Sequence, residues 1–246
     1  MKSDKMRNPN RETLFHFKQF DVRNNRCAMK VGTDGVLVGA WAELPNGKCR
    51  VLDVGCGSGL ISLMIAQRNT NAEIVGLDID VDAVAEARFN VEASKYSSQI
   101  SIINADFLQV ADTISRFDLI VCNPPFFKEA QQSPDAQRAI ARHDEALPID
   151  LLIKLSSQIL TPQGSLALIV PTNRNVDVEF AASLAGLIAI RRTDVVTAPI
   201  KPPKRTLWQL SKIAAPICRE IIAIRTAEGL YSEKYIELVS DFYTNL

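Results

Sequence analysis

The sequence predicts an α/β fold, with a mostly parallel sheet of seven or more strands and helices on both faces. From residue 50 onward, short β-branched runs alternate with longer runs of helical apolar spacing, which is the order of strand, helix, strand units. Glycine and polar residues follow several predicted strands, and open parallel sheets bind ligands at that edge. With 246 residues, 47% of them hydrophobic, we expect a single domain over 1–246.

Each element is predicted from the spacing of its apolar residues. The strands are expected at 50–54, 73–77, 100–104, 117–122, 165–170, 189–196, 206–212 and 219–225. The helices are expected at 59–67, 82–94, 149–160, 176–184 and 232–242. The basic, proline-rich stretch 199–205 lies between two of the last strands and predicts a rigid hairpin connection.

Composition excludes several classes of protein. No apolar run approaches the roughly 20 residues of a membrane-spanning helix, and the first residues contain no apolar signal core. The five cysteines include no C-x-x-C pair and have no histidine nearby at metal-ligand spacing. We therefore expect a cytoplasmic protein with reduced thiols, no metal and no membrane partner.

Charge is unevenly distributed in a chain whose formal net charge is zero. Residues 1–30 contain eight basic and three acidic side chains, a difference of +5, and residues 189–225 contain eight and two, a difference of +6. The middle of the chain is acidic. Two basic segments around an acidic centre suit a polyanion held at the rim of a site, although such runs are also found on ordinary solvated faces.

A glycine-rich loop follows the first predicted strand, in the stretch VLDVGCGSG. Gly55, Gly57 and Gly59 allow a sharp turn and a close approach to a ligand at a helix N-terminus, which indicates a nucleoside-bearing cofactor. A dinucleotide-binding loop would place its third glycine at position 60, where this chain has Leu60. The alternate spacing after Asp53 is similar instead to the S-adenosylmethionine loop of Rossmann-like methyltransferases.

Acidic residues follow the next two strands. Asp78 is predicted to accept hydrogen bonds from the ribose hydroxyls, with Ile79 beside it in the cofactor site. Asp80 is expected to cap the following helix in preference to contacting the ligand. Asp106 and Phe107 stand where an adenine ring can be bonded and covered, while core packing of Phe107 remains the alternative.

The stretch VCNPPFF, residues 121–127, ends the fourth predicted strand with two residues that cannot continue a sheet. The side-chain oxygen of Asn123 and the carbonyl of Pro124 can accept the hydrogens of an exocyclic amino group while it attacks a methyl group. Phe126 or Phe127 can stack on the flat base. We therefore assign Asn123, Pro124 and Phe126 to catalysis.

Four further segments narrow the resemblance. RCAMKVGTDGVLVGAW (26–41), ARHDEALP (141–148), KPPKRTLWQLSK (201–212) and YSEKYIELVSDFY (231–243) are similar to the bacterial tRNA(Val) adenine N6-methyltransferase family. The resemblance implies a class I methyltransferase fold, S-adenosylmethionine as cofactor and tRNA as substrate, with the adenosine beside the anticodon, position 37, modified. It also implies that residues 1–45 form an extension that covers the cofactor and contacts RNA.

The resemblance places further residues. Lys30, Thr33 and Asp34 would close over the methionine end of the cofactor, with Asp34 near its ammonium, and Thr33 and Asp34 can also cap a helix. The two basic segments, in contrast, predict phosphate contacts from the hairpin and the N-terminus. Arg138 and Arg142 are expected nearer the target base, turned out of its stack. The predicted RNA-binding residues are Phe127, Arg138, Arg142, Lys201, Lys204 and Arg205.

Other activities share parts of this pattern. A protein glutamine N5-methyltransferase acting on release factors or ribosomal protein uses the same arrangement of Asn123, Pro124 and an aromatic ring, which we call the clamp. That group carries a sizeable N-terminal helical domain, and about 45 residues precede the first strand here. A DNA adenine methyltransferase usually has an added recognition domain. We expect a monomer that binds tRNA and no DNA; an RNA-binding protein without turnover is the non-enzymatic alternative.

Overall fold

The computed structural model describes residues 14–27, 30–125 and 147–246. The strands are Leu14–His16 (β1), Asp21–Arg23 (β2), Cys49–Val54 (β3), Ala72–Asp78 (β4), Ile100–Asn104 (β5), Phe117–Cys122 (β6), Leu160–Pro171 (β7), Ile188–Val196 (β8), Arg205–Ser211 (β9) and Cys218–Ala223 (β10). The helices are Thr33–Trp41 (α1), Leu60–Arg68 (α2), Val81–Glu92 (α3), Phe107–Val110 (α4), Ile149–Ile159 (α5), Asn175–Leu184 (α6) and Glu233–Val239 (α7).

The central sheet has eight strands in the order β10-β8-β9-β7-β6-β3-β4-β5. Strand β9 runs antiparallel to β7 and β8, and the other neighbouring pairs are parallel. The chain builds β4 and β5 on one side of β3 and then crosses to place β6 on the other side. This reversal opens a crevice at the carboxyl ends of β3 and β6, where open sheets bind ligands.

Helices cover both faces of the sheet, as predicted. Alternate residues of β3 point to opposite faces, so Val51 packs in one hydrophobic core and Leu52 in the other. The first core contains α1, α2, α3 and α7, and the second contains α4, α5 and α6. Because β3 and β6 are buried on both faces, their sequences read as nearly continuous apolar runs.

Most predicted elements are confirmed, and the differences have local causes. Strand β7 begins five residues earlier than predicted, since a β-carbon at Gly164 would lie 2.8 Å from the Phe117 carbonyl oxygen and only glycine allows the strands to approach there. Helix α7 ends at Val239, three residues before the predicted end. The short α4 and the two-stranded β1-β2 pair were not predicted, because three- and four-residue elements carry little periodicity. No helix in the described ranges is long and apolar enough to cross a bilayer.

The segment before α1 is attached to α3 by two polar side chains. The Glu86 carboxylate, 3% exposed, accepts hydrogen bonds from the backbone N–H groups of Asn25 at 2.6 Å and Cys27 at 2.9 Å, and also from that of Arg26. The Asn90 side-chain oxygen accepts the Arg23 N–H, and its nitrogen donates to the Arg23 carbonyl and, at 2.8 Å, to the Ser58 carbonyl. Helix α3 thus holds residues 23–27 beside the loop between β3 and α2.

We expect Glu86→Ala to release this segment. A hydrogen bond to a charged acceptor contributes about 1.5 to 3 kcal/mol, so the amides of Asn25, Arg26 and Cys27 should exchange with solvent at least about tenfold faster. Native-state hydrogen exchange measures this directly. Glu92→Ala, which removes an exposed carboxylate from the same helix, should leave these amides unchanged. Equal protection in both variants would contradict the attachment.

Candidate active site

The glycine loop connects β3 to α2 in a conformation that needs glycine. Gly55, Gly57 and Gly59 have φ values of 69°, 55° and 80°, which L side chains rarely adopt. A β-carbon at Gly57 would lie 3.3 Å from the Cys27 sulfur, so the segment held by α3 contacts the loop. The backbone role predicted for the three glycines is confirmed.

Asp78, at the carboxyl end of β4, holds the middle of this loop. Its Oδ2 accepts the Gly57 N–H at 2.8 Å, and its Oδ1 accepts the Asp80 N–H at 2.9 Å. Burial raises the pKa of Asp78, and these N–H groups oppose the rise. Each carboxylate oxygen has a second lone pair, so further donors can be bound there. The capping role predicted for Asp80 is confirmed, since its side chain accepts the Asp82 N–H.

Asp53 lies fully buried at the end of β3. Its Oδ2 accepts from the backbone N–H of Ser62 at 3.0 Å and from its hydroxyl at 2.7 Å. Its Oδ1 is buried and has no hydrogen-bond partner among the described residues. Burial raises the pKa of Asp53 to about 7, against the opposing effect of Ser62. The side chain therefore has one oxygen fixed to α2 and one available for a donor.

After the next strand, the core-packing alternative is confirmed for Phe107, and the predicted contact of Asp106 with adenine stays a prediction. Phe107 is 4% exposed and packs in the second hydrophobic core, so its ring does not cover a cofactor. Asp106 caps α4 by accepting the Leu108 N–H at 2.9 Å, and the Gln109 amide donates to it at 3.0 Å. Ile79, by contrast, is 64% exposed at the end of β4, where an apolar surface can be offered to a ligand.

Lys30, Thr33 and Asp34 also differ from expectation. The Lys30 ammonium donates to the carbonyls of Asn24, Asn25 and Cys27, each at 3.1 Å. These bonds use its three hydrogens and close its own segment, so the ammonium has no hydrogen left to donate to a cofactor. The predicted helix cap by Thr33 or Asp34 is wrong, because the N-cap residue of α1 is Gly32, without a side-chain bond.

Asp34 is paired with Arg205, a residue predicted to bind RNA. The Arg205 Nε donates to the Asp34 Oδ2 at 2.7 Å, and a second guanidinium nitrogen donates to the Lys204 carbonyl. The pair joins the first turn of α1 to the start of β9. Both side chains were predicted to contact other molecules, and sequence reasoning missed the pair because 171 positions separate them.

Asn123 follows β6 directly beside the glycine loop. Cys122 pairs with Val54 across β3 and β6, so Asn123 and Gly55 are the next residues at this edge. A β-carbon on Gly35 would lie 3.9 Å from the Asn123 amide nitrogen, which places α1 against the same side chain. The predicted Phe126, Phe127, Arg138 and Arg142 lie outside the described residues.

A small cavity of about 160 Å³ adjoins the two prolines. Its lining includes Pro124, Pro125, Asp150 and Arg174. Sequence reasoning missed Asp150 and Arg174, although Arg174 follows the carboxyl end of β7, the strand next to β6. The position of Arg174 just after a strand end was therefore the sequence signal that could have identified it. The described residues contain no group of three or more potential metal ligands.

Comparison with known proteins agrees with this architecture. The Methyltransferase small domain family matches residues 36–193, and the chain belongs to this family, so it is a methyltransferase. A solved Agrobacterium tumefaciens protein, described as a predicted O-methyltransferase, has a TM-score of 0.68 at 17% identity, covers 87% of this chain and all of its own, and shows the fold alone.

The narrower family is shown by curated relatives. The tRNA1(Val) (adenine(37)-N6)-methyltransferase of Porphyromonas gingivalis is 45% identical, over 94% of this chain and 95% of its own. The protein of the same name from Bacteroides thetaiotaomicron is 41% identical, over 95% of this chain and 98% of its own. The chain belongs to the family of tRNA1(Val) (adenine(37)-N6)-methyltransferases, which confirms the resemblance drawn from the sequence.

We expect the buried Asp53 to make stability depend on pH. Folding raises its pKa from 3.8 to about 7, so its protonated form is favoured in the folded state. Its contribution to stability is complete below about pH 4 and is lost as pH rises through about 7, by about 1.36 kcal/mol per unit or about 4 kcal/mol in all.

Denaturant unfolding of wild type and Asp53→Asn between pH 4 and pH 8 measures this difference. Wild type should lose stability relative to the variant as pH rises. Asp112→Asn, which changes an exposed carboxylate, is the matched control. Parallel pH profiles for wild type and Asp53→Asn would show that this carboxyl titrates normally in the folded protein.

Proposed function

We propose that this protein transfers a methyl group from S-adenosylmethionine to the exocyclic N6 of an adenosine in tRNA, at position 37 of tRNA(Val). The observation that carries the proposal is the position of Asn123-Pro124 beside the glycine loop, at the crevice between β3 and β6. The curated relatives, similar over almost the whole chain, are named for this reaction.

The residues at the crevice fit S-adenosylmethionine. The positive-φ loop from Gly55 to Gly59 presents its backbone where no β-carbon intervenes, and Asp78 retains acceptor capacity for ribose hydroxyls. The unpartnered buried Oδ1 of Asp53 suits a donor brought by the ligand or by water. Ile79 offers apolar surface for the adenine ring. Bound S-adenosylmethionine supplies an electrophilic methyl group on a sulfonium.

The N-terminal segment completes the cofactor site in this proposal. Glu86 and Asn90 hold residues 23–27 against the glycine loop, and Lys30 closes the following turn through its bonds to Asn24, Asn25 and Cys27. A cover held by α3 excludes water from the crevice, and this strengthens hydrogen bonds made inside it. Lys30 thus acts on the cover rather than on the cofactor.

Asn123 and Pro124 orient the attacking amino group. The lone pair of an adenine amino group is delocalised into the ring, so acceptors aimed at its two hydrogens favour the tetrahedral geometry needed for attack. The Asn123 side-chain oxygen and the Pro124 carbonyl are the acceptors. Pro124 and Pro125 restrict the backbone after β6, so both acceptors are oriented before the base arrives.

The tRNA is held by the hairpin between β8 and β9. Lys201 and Lys204 are exposed on this connection, which lies at the same edge of the sheet as Asn123 because β8 is parallel to β6 through the sheet. Arg205 pairs with Asp34 instead. Arg191 and Arg192 also have acidic partners, Glu220 and Asp194. Lys201 and Lys204 therefore supply the phosphate contacts of the hairpin itself.

Methyl transfer from labelled S-adenosylmethionine distinguishes a tRNA methyltransferase from a protein glutamine methyltransferase. Label should enter total tRNA lacking the modification, and digestion to nucleosides should give N6-methyladenosine. Release factor and ribosomal protein serve as parallel substrates. Label in a glutamine side chain, with none in tRNA, would overturn the proposal in favour of a protein methyltransferase.

We expect Asn123→Ala to lose activity without unfolding. Removing one transition-state acceptor costs about 2.7 to 4 kcal/mol, or about 100- to 1,000-fold in kcat. Asn123→Asp, which keeps an acceptor oxygen, should retain more activity than the alanine variant. Asn71→Ala, an exposed amide just before β4, is the control. Single-turnover rates measure the effect, and a kcat within threefold of wild type would exclude Asn123 from the clamp.

We expect the double change Lys201→Ala and Lys204→Ala to weaken tRNA binding and reduce its salt dependence. The slope of log K against log salt should fall by about 0.7 to 0.9 for each phosphate that the variant no longer neutralises. Calorimetry should show unchanged S-adenosylmethionine affinity. Lys48→Ala with Lys212→Ala, at the opposite edge of the sheet, is the matched control. The same slope in both double variants would mean that Lys201 and Lys204 do not contact RNA.

A further inference from the structure

A cavity of about 340 Å³ lies at the carboxyl edge of β8 and β10. We call it the tyrosine cavity, and its lining includes Thr33, Thr197, Arg225, Tyr231, Tyr235 and Tyr243. All of its lining residues fall outside residues 36–193, the part shared with the broad methyltransferase family. The cavity is thus built by segments that the broad family model does not match.

The lining combines flat aromatic faces with a cation. Tyr231 and Tyr235 are stacked with ring centroids 5.3 Å apart, and the Arg225 guanidinium carbon lies 4.6 Å from the Tyr231 centroid. The Arg225 side chain also donates to the Gly229 carbonyl at 2.6 Å, which holds it in place. Stacked rings beside a fixed cation suit a planar ligand that carries negative charge, and an RNA nucleotide has both properties.

The hydroxyl groups of the cavity stay neutral. Burial raises the pKa of Tyr235 and of Tyr243, and the two side chains are hydrogen-bonded to each other. Tyr235 is 3% exposed, so this pair fixes the wall of the cavity. Thr33 and Thr197, both exposed at the cavity, add two further hydroxyls.

The tyrosine cavity adjoins the catalytic clamp. Thr33 lines it, and Gly35, two residues further along α1, lies against Asn123. The Cα atoms of residues two apart are separated by at most about 7.6 Å. On its other side, Thr197 begins the basic hairpin, and the Arg225 N–H donates to the Thr197 carbonyl at 3.1 Å. The cavity thus lies between the first residue of the hairpin and the start of α1, which is packed against Asn123.

We infer that the tyrosine cavity binds the base of a nucleotide adjacent to the target adenosine, so the inference rests on the proposed function. Turning the target base into the crevice removes a stacking partner from each neighbour. The Arg225 guanidinium, held over the Tyr231 ring, offers a flat face to one of them and contacts the negative charge of the backbone. The cavity thereby keeps the strand open and positions the target base at Asn123.

The first test measures RNA binding without turnover. Fluorescence anisotropy with a labelled anticodon stem-loop of tRNA(Val), in S-adenosylhomocysteine, compares wild type with Tyr231→Leu and Tyr231→Phe. The leucine variant keeps apolar packing and loses the aromatic face, so its Kd should rise about tenfold, while phenylalanine should bind within about twofold of wild type. Phe180→Leu, which alters an exposed ring on α6, is the control.

A double-mutant cycle identifies the contacted nucleotide. Stem-loops with an abasic residue 5′ or 3′ of the target adenosine should bind wild type about tenfold more weakly at one of the two positions. The same abasic residue should weaken Tyr231→Leu by less than about twofold, because the two changes remove the same interaction. Additive losses at both positions, or a leucine variant that binds like wild type, would overturn the inference.

Thermal unfolding and S-adenosylmethionine affinity show whether Tyr231→Leu is folded. If that variant is unfolded, Arg225→Gln takes its place in the same cycle, and its loss and that of the abasic residue should again be less than additive. If the wild-type protein methylates the stem-loop but the losses in the cycle are additive, the inference about the tyrosine cavity is wrong and the proposed function still holds. Wild type that neither methylates nor binds the stem-loop would overturn both.

Discussion

The hydrogen bond from the Gly57 N–H to the Asp78 carboxylate is the interaction on which the rest of the site depends. It joins the loop after β3 to the end of β4, and the other carboxylate oxygen accepts the Asp80 N–H just before α3 begins. The loop conformation is one that a glycine adopts at little steric cost, but a glycine loop is also free to adopt many others. The partly buried Asp78 carboxylate selects one of these conformations by accepting the Gly57 N–H.

Helix α3 also holds the N-terminal segment, residues 23–27, in place. Starting from Asp80, α3 presents Glu86 and Asn90 one turn apart, and these side chains bond the backbone of residues 23–27. Four residues of spacing put both groups on one helix face. The glycine loop, the Asp78 carboxylate and residues 23–27 are therefore positioned by one continuous stretch of chain, so a displacement of α3 would disturb them together.

The basic side chains near the end of the chain are largely occupied by partners within the protein. Arg191 stacks over Trp41 and pairs with Glu220 at 2.9 Å, while Arg192 lies over Trp208 and pairs with acidic neighbours. Arg205 pairs with Asp34. These guanidinium groups stabilise packing between strands and helices, and exposed pairs of this kind contribute about 0 to 1 kcal/mol each. The basic stretch 189–225 is consequently less available to a polyanion than its sequence charge of +6 suggests.

The sequence by itself determined the order of strands and helices from residue 50 onward, the glycine loop, the capping Asp80 and the position of Asn123 after a buried strand. These features depend on local spacing, turn chemistry and periodicity, which a single stretch of chain contains. Tertiary structure alone decided that Phe107 packs in a core, that Lys30 closes its own turn and that Asp34 pairs with Arg205. It also created the tyrosine cavity, whose walls come from residues 33 to 246. A side chain takes the partner that folding brings within reach, and the partner's distance along the chain leaves no local pattern to read.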